Sequence, residues 1–357
     1  MSVQFWIGGA DSLLKLCSMV LDFGKAAGYA KSASMLEGLV MQGFESRWKD
    51  FPDYILGITK EIWEDRCIGP KVRQYYGEDV IVRMPGGIST GAEATVSATA
   101  ATLNEFPDRV LLGEDVIWSG TPEDGMLSSH RIFSTATHLA DGAFGTATGR
   151  AVATRAIADC YAKDGVITDE WLVRDNGGLV RQIGQDPRAW AAKKVDAGHR
   201  AFDPSQNIVG PYTSEGNCNE WAQALVDILN RMMSADFSAV ASQYDRACHL
   251  EYAGGVTGHG HMAADAFWLP LRASFPSAKF QIEHQIGLVD QLMPPRAAVR
   301  WSLTGQHDGW GVFGTPTSAP IYLMGMTHAE FGPYGLRREY TIYDETAVWM
   351  QILAHTG

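Results

Sequence analysis

The sequence contains one pattern twice, and this internal repeat restricts the chain to folds built from two copies of one unit. The segment TDEWLVRDNGGLVRQ (168–182) corresponds to RREYTIYDETAVWMQ (337–351), with Asp175 and Asp344 at equivalent positions. The same offset, 344 − 175 = 169 residues, matches FGTAT (144–148) with FGTPT (313–317), and no gap is needed between positions 106 and 182. Upstream, YYGEDVIVRMPGGISTG (75–91) resembles QYDRACHLEYAGGVTGHG (243–260) at an offset of 168 to 169, so one residue has been inserted.

The repeat predicts how the chain divides into domains. We expect a first domain over 51–190 and a second over 218–357, joined by a polar linker at 191–217 that contains Gly and Pro. Residues 1–50 lie outside both copies, and their apolar residues near helical spacing predict an N-terminal helical extension. A chain of 357 residues has room for two domains of ordinary size.

The order of predicted elements within one copy indicates an α+β unit. Helical stretches come first, and a series of long strands follows at 110–118, 128–138, 151–161 and 167–175. An Asp-Gly pair at 164–165 predicts a hairpin turn between the last two strands. We therefore expect two tandem cone-shaped α+β barrel domains, in which helices pack on a curved antiparallel sheet that encloses a cavity, packed sheet against sheet.

Composition argues against several classes of partner. The net charge of −12 and the pI of about 5.3 disfavour nucleic acid and anionic membrane surfaces. No run of about 18 apolar residues predicts a membrane span, and the N-terminus lacks the features of a signal peptide, so we expect a cytoplasmic protein. The sequence has five Cys, an odd number, and no CxxC motif. This pattern is typical of proteins in a reducing compartment.

The phosphate-binding P-loop motif, GxxxxGK[ST], is missing from the sequence. His259 and His261 lie in a Gly-rich loop, but a zinc site needs a third ligand that the local sequence does not supply. The sequence therefore predicts no cofactor and no metal.

Four strings of the first copy resemble a known family. They are IWEDRCIGPKVRQYYGEDVIVRMPGG (62–87), EFPDRVLLGEDVIWSG (105–120), SSHRIFSTATH (128–138) and KDGVITDEWLVRD (163–175). These strings resemble the SnoaL-like polyketide cyclase branch of the nuclear transport factor 2-like superfamily, which has the cystatin-like cone fold. The resemblance covers nearly all of 50–190 and, more loosely, 218–357. It implies the fold more strongly than the reaction, because this fold hosts isomerases, dehydratases, cyclases, epoxide hydrolases and binding modules.

The resemblance also implies a catalytic carboxylate. Side chains alternate along a strand, so Trp171, Val173 and Asp175 share one face. If that face lines the cone, the apolar surroundings raise the pKa of Asp175, as an acid or base working near neutral pH requires. Cyclases of this type use an Asp at this position, which assigns the role to Asp175 and, through the repeat, to Asp344. Alternatively, the strand ends one residue earlier and Asp175 caps the following turn.

Further candidates recur on the strands of both copies. His138 and His307 are equivalent, and His328 occupies the position that Asp159 has in the first copy; all three His are candidate proton carriers. The candidate substrate-binding residues are Trp118, His130, Arg131, Arg155, Asp159, Tyr161 and Glu330. Arg131 or Arg155 suits a phenolate or carboxylate of a substrate, or simply neutralises Asp159 or Glu114.

The function predicted from these features is a cofactor-independent acid–base enzyme. It would make or break a C–C or C–O bond by retro-aldol cleavage or deformylation, dehydration or cyclisation. The abundance of aromatic residues (11 Trp, 12 Tyr and 14 Phe) suits a bulky aromatic substrate such as a lignin-type diaryl compound or a polyketide. Two alternatives stay open: a non-catalytic ligand-binding or scaffold module, and an epoxide or ester hydrolase. The family also leaves homo-oligomerisation open.

Overall fold

The computed structural model describes residues 41–357, so the predicted N-terminal helical extension lies outside the described residues except for 41–50, which form turns and bends. The first unit contains α1 (Phe51–Thr59, continued by a π turn at Lys60–Glu64), α2 (Ile68–Tyr75), β1 (Tyr76–Met84), β2 (Gly87–Thr90), α3 (Ala92–Glu105), β3 (Val110–Thr121), β4 (Gly125–Thr137), β5 (Ala151–Lys163), β6 (Val166–Arg174), α4 (Asn176–Gln182) and α5 (Pro187–Asp196).

The second unit repeats the element order of the first. It contains α6 (Glu220–Met233), α7 (Ser238–Gln243), β7 (Tyr244–Tyr252), β8 (Val256–His259), α8 (His261–Ser274), β9 (Lys279–Leu288), β10 (Arg296–Gln306), β11 (Pro320–Gly332), β12 (Gly335–Tyr343) and α9 (Glu345–Thr356). Helices α3 and α8 begin and end 169 residues apart, as do β5 and β11, and β6 and β12. Strands β1 and β7 are 168 residues apart, which confirms the single insertion.

Each unit forms one six-stranded sheet with helices packed on it, so the α+β prediction is confirmed. The strand orders are β2-β1-β6-β5-β4-β3 and β8-β7-β12-β11-β10-β9. The predicted sheet was wholly antiparallel, but β1 pairs with β6, and β7 with β12, in parallel. The parallel neighbours are far apart in sequence, as such a pair requires. Within residues 41–357 neither sheet closes into a barrel, because β3 and β9 lie at the edges of their sheets.

Local sequence explains where the elements begin and turn. Asp50 and Asp186 accept backbone hydrogen bonds as N-caps of α1 and α5, and a proline follows each within two residues, which suits the first helical turn. The predicted hairpin between β5 and β6 turns at Asp164 and Gly165, which have φ angles of 51° and 72°. Both residues are left-handed, as a two-residue hairpin turn requires.

The two sheets pack against each other, as the sequence predicted. One apolar cluster combines Ile157 and Val173 of the first sheet with Met324, Met326 and Ile342 of the second. Another joins Ile117 and Leu127 to Ile286 and Ala298. Consequently both faces of each sheet are buried, one against helices and the other against the second sheet.

The segment between the units is held in place at several points. Its first residues, 191–196, continue α5, because the Asp186 cap and Pro187 start a helix that runs past the predicted boundary. Phe202 and Tyr212 then pack into the two clusters between the sheets. The Tyr212 amide also donates to Asp169 at 2.9 Å. Among residues 41–357, no helix combines the length and apolar character that crossing a membrane requires.

Candidate active site

The cone of the first unit encloses a cavity of about 220 Å³ between its sheet and its helices. Apolar side chains form most of the wall, contributed by α1, α3, β1 and the cone-facing side of β3 to β6; they include Ile58, Met84, Leu111, Ile132, Ala158 and Leu172. An enclosed apolar space with a few polar groups is the usual form of a small-molecule site. The polar groups of this cavity therefore decide what chemistry it supports.

Glu170 is the carboxylate of the cavity. It lies on β6, lines the cavity and is 6% exposed. Burial raises its pKa from 4.5 to about 7, while the Arg174 guanidinium and the Tyr76 hydroxyl both oppose this shift. A carboxyl group that titrates near neutral pH can both take and return a proton, which is the property expected of a general acid or base.

Besides Arg155 at its margin, two arginines line the same cavity. Arg174 lies four residues after Glu170 on β6. Side chains an even number of residues apart share one face of a strand, so both lie on the cone side. Arg174 is exposed by its accessible surface, and desolvation nevertheless lowers the pKa of its guanidinium. Arg109, just before β3, has a pKa lowered to about 10 by burial and by the nearby cations Arg174 and Arg66. Its Nε and one terminal nitrogen are buried without a hydrogen-bond partner.

His130 and Tyr76 complete the polar groups of the cavity that bear on proton transfer. Burial and the neighbouring Arg131 lower the pKa of His130 to about 4, so its imidazole is neutral at pH 7. Its Nε2 is buried and has no partner. Tyr76 is 4% exposed, and burial and the nearby Glu170 raise the pKa of its phenol. A neutral imidazole and a phenol are both suited to hydrogen bonding a substrate oxygen.

The equivalent cone of the second unit is filled by side chains. Trp268 and Trp301, both fully buried, occupy the positions of Thr99 and Ile132. The retained carboxylate, Glu339, accepts hydrogen bonds from four groups: the hydroxyls of Tyr244 (2.7 Å), Tyr252 (2.9 Å) and Thr341 (2.6 Å) and the Trp268 indole (3.2 Å). It therefore has no free oxygen to offer a ligand, in contrast to Glu170.

Asp175 lies outside the cone and serves as the N-cap of α4. Trp171 and Val173 face the second sheet, contrary to the expectation that they line the cone, and the strand ends before Asp175. The Asp175 carboxylate accepts three backbone hydrogen bonds, from Gly178 (2.9 Å), Gly254 (2.8 Å) and Gly255 (2.7 Å). The last two belong to the β7–β8 turn. Asp175 thus joins the two units, which is the capping alternative raised from the sequence.

Asp344 has the equivalent capping position at the start of α9. Its carboxylate accepts from the Thr346 amide (2.9 Å) and hydroxyl (2.6 Å) and from the Asn176 side chain (2.6 Å). Burial raises its pKa to about 6. Asn176 lines the first cavity but Asp344 does not, so Asp344 is separated from that space by one side chain.

Asp175→Asn is expected to lower stability and leave chemistry unchanged. Both carboxylate oxygens accept from amides, so the NH₂ group of Asn would oppose a backbone N–H and leave it buried without a partner. The free energy of unfolding should fall by roughly 1–3 kcal/mol, measured by urea denaturation. Turnover at a temperature where the variant is folded should equal that of the wild type. A folded variant that has lost turnover would return Asp175 to the catalytic role.

His138 and His307 are both fully buried. His138 bonds Glu105 at 3.2 Å and Thr148 at 3.2 Å, and its ring stacks on Phe106. His307 bonds Thr317 at 3.1 Å, but position 274 is Ser, so the counterpart of Glu105 is missing and His307 Nε2 has no partner. Neither His lines the cavity of the first unit.

Four other candidates form a polar network between the two sheets. Arg131 pairs with Glu114 at 3.0 Å and approaches Glu330 at 3.7 Å, while Asp159 pairs with Arg300 at 3.1 Å. His328 lies 2.8 Å from the Ser129 hydroxyl, and burial lowers its pKa. All are partnered across the interface. They therefore satisfy one another, which the sequence raised as the alternative for Arg131.

The remaining candidates are divided between several environments. Tyr161 donates to the Asp124 carbonyl at 2.8 Å, and Trp118 packs edge-on against Phe51. Arg155 lies at the margin of the cone and also lines a separate cleft of about 380 Å³ between the units, which includes Asp175 and Glu251. The charges of that cleft are already paired, since Arg155 bonds both Glu114 (2.9 Å) and Glu251 (3.1 Å).

Of the predicted candidates, the cone thus brings together His130 and Arg155. Four other residues of the cavity were not predicted as site residues: Tyr76, Arg109, Glu170 and Arg174. A signal for Glu170 existed, because it recurs as Glu339 in the repeat. Counting by twos from Glu170 reaches Arg174 on the same strand face. In residues 41–357, His, Cys, Asp and Glu side chains form no group of three or more that is arranged to hold a metal.

Comparisons with known proteins give likenesses at the level of one unit. No family model and no curated protein matches the chain. Among solved structures, IdmH of Streptomyces antibioticus, provisionally named a polyketide cyclase, is 22% identical with a TM-score of 0.32, over 37% of this chain and 97% of its own. AclR of Streptomyces galilaeus, provisionally named a hydroxylase, is 20% identical with a TM-score of 0.32. The match covers 37% of this chain and 94% of AclR.

A third solved structure, from Jannaschia, is provisionally named a SnoaL-like polyketide cyclase. It is 16% identical with a TM-score of 0.33, over 39% of this chain and 97% of its own. Each of these three likenesses covers 37% to 39% of this chain, about the length of one unit.

Proposed function

We propose that this protein is an acid–base enzyme that works without a cofactor on an apolar small molecule bound in the cone of the first unit. Glu170 takes a proton from carbon or oxygen of the substrate and returns it later in the reaction. Arg174, Arg109 and neutral His130 surround the same space and stabilise the enolate or phenolate that proton removal creates. The second unit supports the first and holds no working site.

The observation that carries this proposal is the contrast between two equivalent carboxylates. Glu170 faces an apolar cavity with a pKa of about 7, whereas four donors satisfy Glu339 in a filled cone. A buried carboxyl group with fewer donors is costly to maintain, and costly groups of this kind concentrate at functional sites. Names of the solved structures, polyketide cyclase and hydroxylase, are compatible with a small-molecule enzyme of this type.

The bond that is made or broken belongs to the same proposal. Aldol-type closure, retro-aldol cleavage and dehydration all begin with proton transfer at a carbon or oxygen next to a carbonyl or aromatic ring. An epoxide or ester hydrolase would use the same carboxylate to activate water. Incorporation of ¹⁸O from labelled water into the product separates hydrolysis from the lyase and cyclase reactions.

Thr99→Trp is expected to abolish ligand binding and turnover. The second unit carries Trp268 at this position, so the first cone should accommodate an indole that then occupies the substrate space. For the wild type, a ligand at about 100 times its dissociation constant should add roughly 2.7 kcal/mol and raise Tm by a few degrees. A panel of aromatic acids, esters and ketones, followed by product analysis, provides the measurement.

The control for Thr99→Trp is Ala101→Trp, which adds the same side chain at an exposed position of the same helix, α3. This variant should bind and turn over the panel compounds as the wild type does. Retained turnover in a folded Thr99→Trp variant would exclude the first cone as the active site. The cleft beside Asp175 would then be the space to test.

A further inference from the structure

The cavity of the first unit holds more positive charge than its own carboxylate balances. Arg109 and Arg174 both line it, and among residues 41–357 neither forms a salt bridge or a side-chain hydrogen bond. The charged groups that shift the pKa of Arg109 are Arg174 and Arg66, and both are cations. The Arg109 guanidinium has two buried nitrogens without a hydrogen-bond partner, which is unfavourable, and an anion that enters the cavity relieves this cost.

The acids near Arg174 do not supply that anion. Glu170 has a pKa of about 7, so it is only partly ionised at neutral pH. Asp344 also acts on Arg174, but it lies outside the cavity lining, and its oxygens are engaged by Asn176 and Thr346. No acid is close enough to Arg109 to be among the groups that shift its pKa. An anionic group of a ligand would supply the partner that residues 41–357 do not give Arg109.

The size and walls of the cavity limit the rest of that ligand. An apolar cavity of roughly 150 Å³ accepts benzene, and this one measures about 220 Å³. One or two rings thus fit. The planar fork of arginine matches a carboxylate with two parallel hydrogen bonds, which makes a carboxylate the suitable anion for an otherwise apolar pocket.

We infer that the substrate is an apolar carboxylic acid of one or two rings, whose carboxylate binds Arg109 and Arg174 beside Glu170. This inference rests on the proposed function and names its substrate class. Arginines that bind the carboxylate of the substrate also bind an unreactive carboxylic acid. Arginines that stabilise only a transient enolate do not raise the affinity for such an acid. Binding can therefore be tested without any turnover.

The experiment compares 2-naphthoate with 2-naphthamide, its neutral analogue of the same shape, by calorimetry at pH 7. The wild-type chain should bind the carboxylate about tenfold or more tightly, as expected for charge-assisted hydrogen bonds. Arg109→Gln and Arg174→Gln should each lose most of this preference while still binding the amide. Arg246→Gln, at an exposed position of the second unit, should retain it.

Equal binding of naphthoate and naphthamide by the wild type would overturn the inference, as would a preference that survives in both Gln variants. Amide binding by the Gln variants shows that their cavity is intact. Glu170→Gln keeps both arginines and should keep the preference. If Glu170→Gln were fully active, the proposed base would be wrong while the carboxylate preference still stood, so the two failures are distinguishable.

Discussion

Glu170→Gln is expected to lower turnover by roughly 10²- to 10⁴-fold, the usual contribution of a positioned acid or base. The substitution keeps the shape of the side chain and removes only its ability to carry a proton. Ligand affinity should change little, because the cavity walls and both arginines stay in place. The measurement is kcat for whichever panel compound the wild type transforms, together with its dissociation constant in the variant.

The pH dependence follows from the pKa of Glu170, which burial raises to about 7. As a base, Glu170 is active when ionised, so kcat/KM should rise as the pH increases through 7 and then level off. Glu170→Gln should lose this step. A residual rate that still rises through pH 7 in the variant would assign the titration to another group.

The same group also makes the stability of the wild type depend on pH. Because its pKa is higher in the folded state than the ordinary 4.5, the folded state binds more protons between pH 4.5 and 7. Stability from this group is fully present below pH 4.5 and is lost as the pH rises through 7. Ionisation costs up to roughly 3 kcal/mol at about 1.4 kcal/mol per pKa unit. Above pH 7, Glu170→Gln should therefore be more stable than the wild type.

Glu339→Gln is the matched control, because it makes the same change at the equivalent residue of the repeat. Glu339 accepts from Tyr244, Tyr252, Thr341 and Trp268, and the NH₂ of Gln would face at least one of these donors. We expect this variant to be less stable than the wild type but equally active when folded. Loss of turnover in both variants by a similar factor would contradict the assignment of a single active unit.

The repeat made much of the fold predictable. Strands β5 and β11 share bounds at the 169-residue offset, and the Asp-Gly hairpin lies where its sequence indicated. Which side of a strand faces the cone was not predictable in the same way. Trp171 and Val173 look like cone residues by hydrophobicity, but the second sheet buries them. When both faces of a sheet are buried, apolar alternation does not separate one from the other.

The candidate site depended on partners that sequence does not reveal. Arg131 on β4 and Arg174 on β6 belong to one sheet, yet Arg131 pairs with Glu114 and approaches Glu330 of the second sheet, while Arg174 lines the cavity. The difference arises from the strand face and from the position of the other unit. The same holds for the carboxylates, since Asp175 is engaged by three backbone amides and Glu170 by none. Three-dimensional pairing therefore decides which charged residues are free to act.

Trp268→Thr is expected to be among the most destabilising single changes in the second unit. Trp268 is fully buried in the core of that cone, with its ring 6.1 Å from that of Trp301. Thr is the residue at the equivalent position of the first unit, so the substitution recreates part of an open cone. Removing a buried Trp typically costs about 3–5 kcal/mol, because the cavity collapses only partly. Urea denaturation of the two proteins provides the comparison.

Trp310→Thr is the matched control, because Trp310 is 70% exposed in the same unit. Its free energy of unfolding should stay within about 0.5 kcal/mol of the wild type. If both Trp variants lost the same stability, the second cone would not depend on Trp268 as its filling residue. The expected difference, several kcal/mol in favour of Trp310→Thr, would confirm that the second unit contributes a packed core.

Opening the second cone should not create a second active site. Trp268→Thr leaves Glu339 with three of its four donors, and positions 278 and 343, equivalent to Arg109 and Arg174, carry Ala and Tyr. A cavity at this place would thus contain a satisfied carboxylate and no cation. Combined with Glu170→Gln, the variant should show no recovery of turnover on any panel compound. Recovered turnover would mean that cavity space alone distinguishes the two units. If no turnover is recovered, the arginines and the carboxylate that faces the cavity are required as well.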